Sequence, residues 1–292
     1  MSILLSVLEQ GLIYAVLALG VYITFKILDF PDMSVDSSFP LGAAVTALMI
    51  SNGISPLLTL PASLLAGALA GALTGIIHVR LKVRDLLAGI IVMTGLYSVN
   101  LHVAGRANVQ LFSFHTIFKN DFISSLPEAV APYAPAVILA VITLAVKLLM
   151  DAYLATRSGF LLRATGDNPT LVATLAKDAG RVKILGLSIA NALVSLAGCV
   201  MCQYQRYFDI SMGTGTLVLA VASVIVGTQL LRGLRFLGPT LAVTLGSILY
   251  KGCVALALSL GLSPFDLKLV TAALLLIIIV AGGHRRKVKR RA

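Results

Sequence analysis

Long apolar runs separated by short polar breaks set the pattern of the chain. Nine runs stand out, at 4–28, 39–51, 56–79, 86–105, 133–154, 183–205, 215–231, 236–258 and 265–282. A helix that crosses a membrane needs about 20 apolar residues, fewer where it is broken and shielded by protein. The pattern predicts an all-α polytopic membrane protein of about nine transmembrane segments. The run 39–51 is too short to span alone. It follows Asp29-Phe-Pro-Asp-Met-Ser-Val-Asp-Ser-Ser38, whose three carboxylates and proline forbid a lipid-facing helix. The second half repeats the arrangement. There Tyr207-Phe-Asp-Ile-Ser-Met-Gly-Thr-Gly215 follows a long apolar run and precedes a small-residue run, Leu217 to Gly227. Each break sits after the first span of its half, on opposite sides of the membrane. That placement predicts an inverted repeat with broken helices, and matched interruptions point to a transport pathway.

One polar stretch, Arg163 to Lys183, divides the two halves. It reads as a short helix outside the membrane. Asp167 or Asn168 can cap it, Pro169 suits its first turn, and Gly180 suits its stop. Leu171, Val172 and Leu175 gather on one face at helical spacing. Lys177, Asp178, Arg181 and Lys183 keep it out of lipid. Two readings stand on this pattern: a helix shown to a soluble partner, or a connector that lies on the membrane.

Composition agrees with the membrane reading. The chain is 58% hydrophobic and 12% charged, with a mean hydropathy of +0.98, against roughly 25% charged residues in a soluble domain. The net charge of +11 does not point to nucleic acid, because the basic residues cluster in short loops and the tail. Such clustering marks the cytoplasmic side. Arg80, Lys82 and Arg84, the central stretch, Arg232 with Arg235, and the tail His284 to Arg291 all fall inside if the N-terminus is outside and the chain crosses nine times. The start lacks a basic leader region, so the first run is read as retained. Residues 1–282 then form one transmembrane domain, with halves at about 1–155 and 183–282 and a central helix at about 168–178. Residues 283–292 form a basic cytoplasmic tail. No G-x-x-x-x-G-K-[ST] occurs, so the chain holds no P-loop for ATP, and no H-E-x-x-H or G-x-S-x-G suggests an enzyme. Cys199 and Cys202 form a C-x-x-C within an apolar run. With no second Cys or His pair beside them, they read as small packing residues.

The opening Gly11-Leu-Ile-Tyr-Ala-Val-Leu-Ala-Leu-Gly20 resembles that of ABC-importer permeases of the branched-chain amino acid and ribose type. Arg163-Ala-Thr-Gly-Asp-Asn-Pro, then Leu175-Ala, Arg181-Val-Lys and Ala190 to Gly198, is similar to that family's central cytoplasmic region. The resemblance implies a permease subunit of the bacterial inner membrane. It implies a homodimer, two cytoplasmic ABC ATPase subunits and an extracytoplasmic solute-binding protein. It implies no cofactor on this chain, with ATP-Mg held by the partner ATPase. It makes the central stretch a coupling helix that contacts the ATPase through Gly166, Asp167, Asn168, Pro169, Leu171, Val172, Leu175 and Arg181. Asp32-Met-Ser-Val-Asp36 and Ser37-Ser38 replace the Asn-Phe-Ala-His-Gly-like pattern of branched-chain permeases. This version resembles a branch whose binding proteins take aromatic or other amino acids. The competing class is a stand-alone secondary transporter or channel with an inverted repeat. The lack of a clear mid-span carboxylate relay in the sequence argues against ion coupling.

Several polar residues are candidates for the pathway or the substrate. Asp36 either lines the pathway or caps segment 39–51, while Asp29 and Asp32 read as solvated at the interface. Ser37 and Ser38 sit where the free amides of the short helix start. Asp209, Ser211 and Thr214 form the matching outer set, as a substrate entrance, a binding-protein contact or a plain turn. Asn100 and His102, in the fourth span, read first as bundle-facing and second as substrate contacts. Lys251 reads as reaching for the outer surface. Gly67, Gly71 and Gly75 should let two helices approach closely.

Overall fold

The computed structural model describes residues 3–120, 130–168, 178–230 and 238–259, with single positions between and beyond them. Helix α1 (Ile3–Val21) runs on through a π-helical turn, Tyr22–Ile27. It is followed by α2 (Val35–Ser51), α3 (Thr59–Arg80) and α4 (Asp85–Ala104). A short strand, β1 (Asn108–Gln110), leads to α5 (Ala134–Leu154) and α6 (Arg157–Asp167). The second half holds α7 (Ala179–Gln205), β2 (Tyr207–Asp209), α8 (Thr216–Leu230) and α9 (Pro239–Ser259). Among the described residues, seven helical stretches are long and apolar enough to cross a membrane, and α2 is a shorter apolar helix. The run 265–282 and the basic tail lie largely outside the described residues.

The halves pack by exchange. Helices α1 and α7 run antiparallel: Glu9 meets Tyr204 at one end, and Leu28 abuts Gly186 at the other. Helix α1 packs on α9, and α7 packs on α3, so the first helix of each half covers the third helix of the other. This reciprocal contact is what an inverted repeat requires. It also explains why α1 is apolar on every face beyond Glu9 and Gln10: Ile13, Leu17 and Leu19, and Ile23 in the turn that follows, are fully buried on different faces. The Gly67, Gly71, Gly75 stripe works as expected. A Cβ at Gly71 would lie 2.1 Å from the Leu187 carbonyl oxygen, and one at Gly67 2.3 Å from that of Asn191. Strands β1 and β2 pair antiparallel, with Asn108 opposite Asp209, and so join the loop after α4 to the break of the second half.

The central stretch differs from expectation. Residues 157–167 form a helix where none was predicted, started by Thr156, whose side chain accepts from the Gly159 amide at 3.2 Å. Asp167 is its last residue and Asn168 its C-cap. Gly180 is no helix stop. It lies in the first turn of α7, where the Asp178 carboxylate accepts from the amides of Gly180 (2.9 Å) and Arg181 (3.2 Å). Pro169, Leu171, Val172 and Leu175 lie outside the described residues.

Candidate functional site at the two helix breaks

Both halves interrupt their second segment, and the two interruptions meet inside the bundle. The residue that joins them is Asp36. Its Oδ1 accepts from the Leu217 amide at 2.8 Å and from the Thr216 hydroxyl at 3.1 Å. Its Oδ2 accepts from the Gly215 amide at 3.1 Å. These are the free donors at the start of α8, and a carboxylate there also meets the positive end of the helix dipole. Asp36 thus caps the broken helix of the opposite half, not the segment 39–51. That segment's helix already begins at Val35, which places Asp36 in its first turn. Pro40 cannot donate to the Asp36 carbonyl as the next turn would require. Gly213 fills the space, since a Cβ there would sit 1.9 Å from that oxygen.

One turn earlier, Asp32 is 1% exposed, not solvated as its place near a span end suggested. It accepts from the Ser34 hydroxyl (2.6 Å), the Ser34 amide (2.9 Å) and the Asn191 side-chain amide (2.8 Å). Asn191 belongs to α7, so this network also links the two halves. Gly89 of α4 allows the approach: a Cβ there would come 2.7 Å from the Met33 nitrogen. Asp29, by contrast, is exposed. Asn191 was missed in the sequence, although a lone Asn in the run 183–205 was the available signal. Replacing Asn191 by leucine removes a donor from a buried carboxylate, which costs about 1–3 kcal/mol. N191L should therefore unfold several degrees below wild type in detergent. An unchanged unfolding curve would show that the network adds nothing to stability.

Ser37 and Asn100 fasten α2 to α4. The Ser37 hydroxyl donates to the Met93 carbonyl at 2.8 Å, and the Asn100 side chain donates to the Ser37 carbonyl at 2.9 Å. Ser38 is buried. Its hydroxyl, the Asn100 Oδ1 and the Ser195 hydroxyl have no hydrogen-bond partner among the described residues. His102 is exposed and pairs its Nδ1 with the Ser98 carbonyl of its own helix at 2.9 Å. The expected bundle-facing pair is therefore split, with Asn100 in and His102 out. Asp209, Ser211 and Thr214 form a turn beside the two-stranded sheet. Asp209 accepts from the Ser211 amide (2.8 Å), the Ser211 hydroxyl and the Asn108 side chain (3.2 Å). The Ser211 hydroxyl, then the backbone and Asn108 bonds, hold its carboxyl below the usual carboxylate range. The Thr214 amide donates to the Ser211 carbonyl at 2.9 Å. Cys199 is buried, with its sulfur 3.3 Å from the Thr59 hydroxyl, as a packing residue would be.

At the far end of the bundle from the sheet, His78, Lys82, Arg84 and Lys183 line a cavity of about 370 Å³ beside the start of α7. Lys183 Nζ lies 3.4 Å from His78 Nε2, and His78 Nδ1 lies 2.9 Å from the Val83 carbonyl. This end gathers His78, Lys82, Arg84 and Lys183, while the sheet end carries Arg106, Lys119 and Arg206 beside Asp209.

Two broken helices that start against each other inside an apolar bundle, tied by one carboxylate, define a membrane transport protein built as an inverted repeat. The chain belongs to the family described as branched-chain amino acid transport system / permease component, which it matches over residues 3–280. It is accordingly a multi-pass inner-membrane permease subunit of the ABC-importer type. It is 41% identical over 272 residues to the tyrosine transport system permease protein of Clostridioides difficile (strain R20291), covering 93% of this chain and 88% of that one. It is 32% identical over 274 residues to protein RP368 of Rickettsia prowazekii (strain Madrid E), covering 92% and 94%. The ribose import permease protein RbsC of Escherichia coli (strain K12) is 25% identical over 231 residues, or 79% and 70% of the two chains. No solved structure matches significantly.

Proposed function

We propose that this permease imports an amino acid, of the aromatic class that includes tyrosine, and does so as a homodimer. It works with two cytoplasmic ATPase subunits that hold ATP-Mg and with an extracytoplasmic binding protein. The observation that carries the substrate class is the 41% identity, across 93% of the chain, to a tyrosine transport system permease protein. The basic cavity residues lie at one end of the bundle and the start of α1 at the other, which supports an outer N-terminus by the positive-inside rule, and the basic sequence of the tail supports a cytoplasmic C-terminus. Asp36, Ser37, Ser38 and Asn100 surround the meeting point of the two breaks and are the pathway side chains in this reading. Asp209, Ser211 and Thr214 face the binding protein at the outer turn, and His102 lies at the same end. Residues 168–178 dock on the ATPase, with Leu171, Val172 and Leu175 as anchors. Gly166, Asp167, Asn168, Pro169 and Arg181 set the ends of that contact. Gly166 packs so closely on the Ile27 carbonyl, 1.7 Å from an added Cβ, that a shift of the docked segment would be felt at the first break.

Co-purification tests the docking. Changing Leu171 and Leu175 together to Asp should release the ATPase from the solubilised complex while the permease still inserts and dimerises. If the doubly substituted chain retains its ATPase, the docking assignment is wrong. Uptake by the permease alone, driven by an ion gradient with no ATPase present, would instead identify a secondary transporter.

A further inference from the structure

Lys251 lies in α9 eight residues before the helix ends at Ser259, within a stretch that crosses the membrane. It does not extend past the helix end toward water. Its Nζ sits 3.9 Å from the centre of the Tyr14 ring and 3.5 Å from Gln10 Oε1, both on α1. The described ion pairs are Lys147 with Asp151 and Arg181 with Asp178, and neither involves Lys251. An ammonium has three donors. Here one long bond and a ring face engage it, and among the described residues no carboxylate lies within ion-pair distance of it. An unbalanced cation at membrane depth is costly and marks a functional position.

Its surroundings place it at the helix breaks. Gly246 of α9 abuts Ser223 and Gly227 of α8. Five residues further along these antiparallel helices, about 7.5 Å, Lys251 is level with residues 218–222 of α8, next to the first turn that Asp36 caps. On the other side, Tyr14 stacks nearly parallel on Phe39, at 6.3 Å between centroids, and Phe39 is one turn beyond Asp36 on α2. A cation, an aromatic floor and the joined breaks thus lie in one layer.

We propose that Lys251 receives the carboxylate of the amino acid as it passes the breaks, while Tyr14, backed by the buried Phe39, offers an aromatic contact to its side chain. The pairing is a charge-assisted hydrogen bond to a group that every amino acid carries. This assignment rests on the amino-acid reading above.

The test uses the full complex of permease, ATPase and binding protein in proteoliposomes, with L-tyrosine as probe. Lys251→Met should cut tyrosine uptake by about tenfold or more, whereas Lys251→Arg should keep most of it. Co-purification of the ATPase with K251M shows that the variant has folded. Wild-type uptake by a folded K251M overturns the assignment. A wild-type complex whose binding protein stimulates ATP hydrolysis, but which carries no tyrosine, overturns the substrate reading instead. Lys251 is then judged by mass-spectrometric acetylation of its amine in the purified wild-type complex. Protection by L-tyrosine or L-leucine, and none by tyramine, which lacks the carboxylate, supports the site. Equal labelling under all three overturns it.

Discussion

Replacing Asp36 by alanine should lower the thermal unfolding midpoint of the purified permease and cut solute uptake by about tenfold or more. The side chain serves three donors at the start of α8: the amides of Gly215 and Leu217 and the Thr216 hydroxyl. Losing a helix cap costs about 1 kcal/mol in an exposed setting. Here the amides are partly withdrawn from water, and an unsatisfied fully buried donor costs about 1–3 kcal/mol. A total of about 2–4 kcal/mol follows, since water can recover part of the loss. Uptake suffers separately, because Asp36 is a joint between the two halves and not only a cap. Without it, movement of one broken helix is no longer passed to the other through this bond. Asp36→Asn should fall between, since one oxygen can still serve Leu217 while the new amide group opposes the Gly215 donor. Thr216→Ala removes only the hydroxyl bond and should be milder than either. Thermal unfolding and uptake are measured on all three. Wild-type behaviour of D36A in both would remove the joint from the mechanism.

The parts of this molecule that face lipid were legible in the sequence, and the parts that face each other across the halves were not. Lipid demands long, continuous apolar runs, so the helices from α1 to α9 lie on predicted runs to within a few residues, apart from α6. The breaks were legible for the converse reason: three carboxylates and a proline cannot face lipid. The partners of those carboxylates were hidden. Asp36 meets residues about 180 positions away, and local capping rules assign such a residue to its own helix. Asp32 looked solvated because it stands near a span end, and only Asn191, on a helix of the other half, explains its burial. Helix α6 was missed because Arg157 and Arg163 break any apolar pattern, although Thr156 offered a helix start. Gly180 was read as a stop because glycine follows helix ends. The stronger signal was Asp178 two residues earlier, which starts α7. Lys251 was read by the general habit of long cationic side chains at a membrane surface. Tyr14, 237 positions away in the sequence, holds it inside instead.

The largest loss of stability should come from Gly198→Ala. Helices α2 and α7 touch through two reciprocal glycines. A Cβ at Gly198 would lie 1.8 Å from the Phe39 carbonyl oxygen, and one at Gly42 1.8 Å from the Ser195 carbonyl oxygen. Both obstacles are backbone, so no side chain can rotate away, and the helices themselves must part. Overpacking a core by a methyl group typically costs about 1–3 kcal/mol. A case that moves two buried helices belongs at or above the upper end. Such a loss takes a large share of the roughly 5–15 kcal/mol that holds a domain folded. It also strains what lies beside the contact: the Asn191 bond to Asp32, about two turns earlier on the same face of α7, and the stacking of Phe39 on Tyr14. G198A should therefore express poorly, unfold far below wild type and transport little. The double variant G42A/G198A should cost less than the sum of the two single changes, because the first substitution already separates the helices the second would push apart. Gly95 provides the control, since nothing lies within 4 Å of a Cβ there. Alanine in that open helical position removes the glycine penalty of about 0.5–1 kcal/mol and should leave stability equal or slightly raised. Expression and unfolding in detergent decide the matter: a G198A permease as stable as G95A would mean that α2 and α7 are not locked together at this crossing.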